Sequence, residues 1–309
     1  MAEKITPRSP SAHGPLIRGP NQAVGVIGLG IMGSAMSANL VRAGFVVHGY
    51  DIVAARRKSF RREGGRPAAS ASAVASKASI VITSLPSVEA LHSVCAEVRA
   101  RKSIFIETST LPIEDKLKAR DALKGKGITL LDCPLSGTGV QARVKDLVVF
   151  ASGDKKAVQT AAQVFAGFSR SHYYLGEFGN GSKMKFVANL LVAIHNVSTA
   201  EAFVLGMKAG LDPKTIFEVA GNGAGTSRMF QVRGPQMVKG DYGEAGMKVE
   251  LWQKDMKIIG EYAARLGVPT PLFNASAAIY NAAIAQGFSK EDTAAVCAVL
   301  ERMAGVRRK

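Results

Sequence analysis

Three glycines, Gly28, Gly30 and Gly33, stand at the spacing G-x-G-x-x-G, directly behind the apolar run 24–27 and directly ahead of a stretch of small and apolar residues. In a strand-to-helix turn the first glycine permits the sharp bend. The second lets a pyrophosphate approach the backbone, and the third lets helix and strand pack closely. The helix that follows offers unpaired N–H groups and a partial positive charge to phosphates. Leu29, Ile31 and Met32 belong to the same turn. Asp51 closes the next strand-like run, about 20 residues on, where a carboxylate accepts the hydroxyls of a ribose and repels a 2′-phosphate. NAD is therefore expected as cofactor. Arg56, Arg57 and Lys58 lie just beyond Asp51 and keep NADP open, although an exposed helix face explains them equally well.

A second chemical pattern lies in the C-terminal half. Lys185 and Asn189 are i and i+4 on a helical pattern, hence on one face, and Asn196 falls near the same face. By spacing alone such a polar stripe is a solvent-exposed helix face; were Lys185 to move protons near neutral pH, its pKa, ordinarily about 10.4, would have to be lowered by burial or by like charge. His195 sits off that face, as a histidine packed between domains rather than a base.

These residues need elements to hold them. From Ala23 to about Leu175, β-rich runs (24–28, 45–51, 78–85, 103–108, 128–133 and 147–153) alternate with helical stretches. That pattern implies a parallel sheet covered on both faces. Beyond Gly179 strand-like runs vanish. Apolar residues recur at intervals of three and four from Ser182 to Ala209, and shorter helical patterns follow near 213–221, 249–266, 271–286 and 290–304. The expected organisation is a tail over 1–22, a Rossmann dinucleotide-binding domain over 23–180, and an all-α domain for substrate and oligomerisation over 181–309, with a long interdomain helix.

Composition narrows the function. At 309 residues the chain has room for two domains. Its three cysteines, Cys95, Cys133 and Cys297, are odd in number and widely spaced, which argues against disulfides and a metal site and for a reducing compartment, the cytoplasm. Charges or glycines interrupt every apolar run before the roughly 18 residues of a membrane span. The net charge of +16 is scattered. Its densest cluster (Arg56, Arg57, Lys58, Arg61, Arg62) holds one aromatic, Phe60, too few for a nucleic-acid stacking surface. A basic surface that attracts small anions fits better than nucleic-acid or membrane binding.

The segment 25–44 resembles the opening signature of the β-hydroxyacid dehydrogenases, and the resemblance runs from about Ala23 to Ala304. "DCPLSGTGVQA" (132–142) is similar to that family's substrate loop and implies that Ser136, Gly137 and Thr138 bind a carboxylate. Thr138 and Gln141 stand where the family pattern has glycine. "GNGSKMKFVAN" (179–189) resembles the segment of the catalytic lysine, placing that role on Lys185 and a substrate-binding role on Asn189, with Ala188 replacing the first of two asparagines. "LWQKDMKI" (251–258) implies Lys254 near cofactor and substrate and Asp255 beside the active site. Leu85 and Pro86 match a cofactor-lining loop, and Thr110 a position near the nicotinamide ribose.

The resemblance implies hydride transfer between a nicotinamide cofactor and a short, anionic β-hydroxy acid or its semialdehyde. 2-Hydroxy-3-oxopropionate (tartronate semialdehyde) is expected first, with L-threonate or 3-hydroxyisobutyrate as alternatives. A non-catalytic dinucleotide sensor is the alternative of a different class. A homodimer or homotetramer is expected, since the long helix offers more apolar surface than one small helical domain covers.

Overall fold

The computed structural model describes residues 22–99 and 102–308. The expected tail lies outside these, apart from Gln22. The first half alternates strand and helix: β1 (Ala23–Ile27), α1 (Ile31–Arg42), β2 (Val46–Tyr50), α2 (Ala54–Arg62), β3 (Arg66–Pro67), α3 (Ala71–Lys77), β4 (Ile80–Thr83), α4 (Val88–Glu97), β5 (Ser103–Glu107), α5 (Ile113–Lys124) and β6 (Ile128–Asp132). These strands form one six-stranded sheet in the order β3-β2-β1-β4-β5-β6, every pair parallel. Strands buried on both faces read as continuous apolar runs, and β4 is buried throughout. One core cluster (Val24, Met36, Leu40, Phe165) covers one face, and another (Ile27, Val74, Val81, Phe105) the other. The strand order reverses between β1 and β4. In open α/β sheets the crevice beyond the strand ends at that point receives the ligand.

The chain then leaves the sheet through β7 (Leu135–Ser136), α6 (Gly139–Arg143), β8 (Val148–Ala151), α7 (Lys155–Phe168) and β9 (Ser171–Tyr174). The run 147–153, read above with the parallel strands, forms β8 in a separate three-stranded sheet instead. It pairs antiparallel with β7 and parallel with β9. An isolated bridge from Asp132 to Ser152 ties this sheet to the end of β6.

From Asn180 on, the described residues are helical: α8 (Asn180–Lys208), α9 (Pro213–Gly221), α10 (Arg228–Lys239), α11 (Val249–Arg265), α12 (Pro271–Ala285), a 3-10 turn at Thr293–Ala295, and α13 (Val296–Ala304). α8 spans 29 residues, roughly 40 Å at 1.5 Å each. Contrary to the reading above, it is long and apolar enough to cross a bilayer. Its buried residues nevertheless include Asn189, Asn196 and Thr199 beside Phe186, Ala193 and Phe203. Asn196 donates to Tyr280 Oη at 3.0 Å and to Thr293 O at 2.8 Å, so this residue of the expected polar face holds the helical core. Ile113 of α5 joins the same core, welding the two halves behind the cleft.

Candidate active site

The glycine turn sits at the reversal point. Gly28 has φ +91, and a Cβ there would lie 2.1 Å from Ser84 O. A Cβ on Gly33 would lie 1.9 Å from Gly28 O, which is why the helix can start so close to the strand. A Cβ on Gly30 would meet nothing within 4 Å. The middle glycine therefore faces open space at the N-terminus of α1, whose first turn carries no acidic residue and no side-chain cap. That is the room a pyrophosphate needs, so the residues present fit a dinucleotide.

Asp51 is buried beside this turn. Its Oδ2 accepts the Leu29 N–H at 2.8 Å, its Oδ1 accepts the Val53 N–H at 2.8 Å, and the half-exposed Arg56 pairs with Oδ2 at 3.2 Å. Arg57 donates to Asp51 O and lies over the Tyr50 ring. The basic residues of α2 are largely exposed, while Phe60 is buried and unavailable for stacking. Across the reversal point the Leu85 N–H donates to Ser109 Oγ at 2.8 Å, joining the Leu85–Pro86 loop to the loop that carries Thr110.

Lys185, Asn189, Asp255 and Lys254 come together where α8 faces α11. The half-buried Lys185 donates its ammonium to Leu135 O at 2.6 Å, the carbonyl just ahead of Ser136, Gly137 and Thr138. Asn189 donates to Asp255 Oδ2 at 2.8 Å, so it holds that carboxylate. Lys254 lies 3.9 Å from Asp255 Oδ1 and remains 41% exposed. Burial pulls the Lys185 pKa below the ordinary lysine value. Asp255 opposes this, and Lys254 and Lys116 add to it by repulsion. Burial pushes the Asp255 carboxyl up, against the pull of Lys185, Lys254 and Asn189.

The Ser136–Thr138 loop differs in one respect from the expected anion cradle. The Thr138 N–H donates to Gln141 Oε1 at 3.0 Å, so that donor is occupied. That donor is a backbone group any residue supplies, so Gln141 rather than Thr138 is the departure that closes it. The helical domain reaches over this loop, and a Cβ on Gly246 would come within 3.6 Å of Thr138 Cβ. Gly246 and Met247 are held by Asp292, whose Oδ2 accepts both their N–H groups and pairs with the buried Arg233. Sequence reasoning missed Arg233, Asp292 and Ser109, whose partners are set by tertiary contact alone.

A groove of about 350 Å³ also opens along the domain seam, lined by Pro112, Glu114, Phe186, Ile258, Glu261, Ala264 and Arg265. None of the lysine cluster lines it, and the Glu114–Arg265 ion pair crosses it at 2.6 Å. The three cysteines are buried and unpaired. Burial pushes Cys95 up to about 11 and Cys297 to about 12, so neither is an activated nucleophile.

A glycine turn at a sheet's reversal point, with a half-buried lysine where α8 meets α11, suits a nicotinamide-dependent oxidoreductase acting at a CH–OH group. The comparisons agree. Residues 23–176 match the NAD binding domain of 6-phosphogluconate dehydrogenase, and residues 179–300 match the NAD-binding domain of NADP-dependent 3-hydroxyisobutyrate dehydrogenase. The chain belongs to the β-hydroxyacid dehydrogenase family. It is 32% identical to the L-threonate dehydrogenase of Cupriavidus necator, over 88% of this chain and 94% of that one. It is 31% identical to glyoxylate/succinic semialdehyde reductase 1 of Arabidopsis thaliana, over 88% and 96%. The crystal structure of 3-hydroxyisobutyrate dehydrogenase from Salmonella typhimurium superposes with a TM-score of 0.81 at 28% identity, covering 90% of this chain and 99% of that one.

Proposed function

We propose that the protein interconverts a short, polyhydroxylated β-hydroxy acid and its carbonyl form, with NAD as cofactor and Lys185 as the group that moves the proton. The observation that carries this is the Lys185 ammonium, 2.6 Å from Leu135 O at the domain seam, with its pKa lowered by burial and flanked by Asp255 and Lys254. The cofactor, when bound, supplies the hydride chemistry. Lys185 Nζ gives a proton to the carbonyl oxygen in reduction and takes one from the hydroxyl in oxidation. Ser136 and Gly137 hold the substrate carboxylate, with Thr138 contributing its hydroxyl. Asp255, fixed by Asn189, keeps positive charge on Lys185 until it is needed, and Lys254 draws the anion in. Leu85, Pro86 and Thr110 flank the nicotinamide end.

Asp51 supports NAD. A carboxylate has about four lone-pair sites, and two are taken by Leu29 and Val53 N–H groups. Displacing the half-exposed Arg56 leaves two for ribose hydroxyls, with no welcome for a 2′-phosphate. For the substrate, the threonate dehydrogenase likeness and the hydrophilic Thr138 favour a polyhydroxylated acid, L-threonate or tartronate semialdehyde, over 3-hydroxyisobutyrate. The catalytic reading is preferred to a dinucleotide sensor because a sensor needs no titrating lysine beside an anion loop. Self-association completes the reading. Met184, Val187 and Leu191 form an exposed apolar stripe on α8, which a second copy would cover. Light scattering of a homodimer or homotetramer supports this, and a monomer contradicts it.

The test is turnover with NADH or NADPH against tartronate semialdehyde, glyoxylate and succinic semialdehyde, and with NAD or NADP against L-threonate, D-glycerate and 3-hydroxyisobutyrate. The expected result is NAD-linked turnover of a polyhydroxylated acid. NAD binding without turnover of any of these overturns the substrate class. Gly30→Ala, which meets no neighbour, is expected to keep stability and to weaken cofactor binding about tenfold or more.

A further inference from the structure

Beneath the cleft lies a sealed ionic cluster that the glycine turn and the Lys185 group do not account for. Lys116 of α5, Glu107 at the end of β5 and Asp132 at the end of β6 are all completely buried. Lys116 donates to Asp132 Oδ1 at 2.8 Å and to Ser109 O at 2.6 Å. The Ser109 N–H donates to Glu107 Oε1 at 2.7 Å. Asp132 also accepts the Ser182 N–H at 2.7 Å, Ser182 Oγ at 2.8 Å and Ser152 Oγ. Burial works to discharge Lys116, and Asp132 with Glu107 overcomes it, holding the ammonium charged.

Burying such charges is costly, and apolar residues of similar volume often hold a fold as well. Their location suggests a further use. Ser182 is in the first turn of α8, three residues before Lys185. Leu135, whose carbonyl receives the Lys185 ammonium, lies three residues after Asp132. Gly181 lets this helix start lie against the strands, since a Cβ there would come within 2.6 Å of Asp132 O. Asp132 thus fixes both partners of the Lys185–Leu135 contact. Ser109, the other anchor of Lys116, holds the Leu85 loop.

We propose that Lys116 is a positioning residue for Lys185: by holding Asp132 it seats the first turn of α8 against the strand that leads to Leu135. This rests on the reading of Lys185 as the proton-transfer group. The charged groups that act on Lys185 are Asp255 and Lys254 from α11 and Lys116 from α5.

The experiment measures the rate at which acetic anhydride labels Lys185 as a function of pH, read on its peptide by mass spectrometry. It needs no substrate. Lys116→Met removes a positive charge and leaves Asp132 unpaired, so the apparent pKa of Lys185 is expected to rise by about half a unit to one unit. Asp132→Asn removes the carboxylate that seats Ser182 and lets burial act to discharge Lys116, so it is expected to raise it as well. Lys116→Met/Asp132→Asn breaks the same contact and leaves Glu107 without its cation, so it is expected to raise it no further than Lys116→Met alone. A rise in both single variants supports the proposal. A fall in either, or no shift while the melting temperature falls, overturns it and leaves a purely structural cluster. Where Lys116→Met does not accumulate folded, Asp132→Asn and the double variant decide by the same signs. A wild-type enzyme inactive on every hydroxy acid, with these shifts present, fails the functional reading and not this one. An active enzyme without the shifts fails this one alone.

Discussion

Two lysines leave their helices for surroundings poor in water and meet opposite fates. Lys116 is sealed against Asp132 at 2.8 Å, and its pKa is held above the ordinary value. Lys185 rests on a carbonyl, with the carboxylate that acts on it, Asp255, tied to Asn189, and its pKa falls below the ordinary value. Burial pulls both down. The difference is the partner. A carboxylate in contact makes a lysine a fixed charge, whereas a neutral oxygen leaves it free to titrate. The sealed region therefore suits holding, and the open cleft suits proton transfer.

Cutting each lysine should separate these roles. Lys185→Ala is expected to lower turnover about 10³-fold and to leave cofactor affinity within about threefold. Steady-state kinetics beside a nicotinamide fluorescence titration checks this. Lys116→Met strands a buried carboxylate and is expected to cost roughly 3–5 kcal/mol of stability, read by urea unfolding, with the cost reduced when Asp132→Asn is added. A Lys116→Met protein as stable as wild type would erase the contrast. The smallest effect sharpens it: Asp255→Asn keeps an oxygen for Asn189 but removes the charge that raises the Lys185 pKa. The oxidation profile should then move to lower pH, by about half a unit.

Much of this was legible in the sequence, for identifiable reasons. The glycine spacing, Asp51 and the apolar strands 24–27 and 80–83 are local signals, and α9 begins at Pro213 behind its cap Asp212. Lys185 and Asn189 stood out by the flanking glycines and the family resemblance of 179–189, since their spacing alone only puts them on one helix face. α10 was hidden because Gly234 and Pro235 read as breakers, although Gly234 is what lets Phe217 pack within 2.5 Å of its Cβ position. β9, largely exposed Ser-His-Tyr-Tyr, carries no apolar alternation. Lys116 sits among Glu114, Asp115 and Lys118 and looks like a solvated face. Its partner Asp132 lies 16 residues on, and Asp132 in turn bonds Ser182 at a separation of 50, which no local pattern encodes.

The most direct test of the account is the pH dependence of kcat/KM in both directions, for the wild type and for Lys185→Ala. In oxidation Lys185 must be neutral, so the rate should rise through its pKa. In reduction it must be protonated, so the rate should fall through the same value, and that value should lie below about 10.4. Opposed limbs that share one midpoint and vanish in Lys185→Ala are the predicted result. Flat profiles, or limbs that persist without Lys185, would show that another group moves the proton.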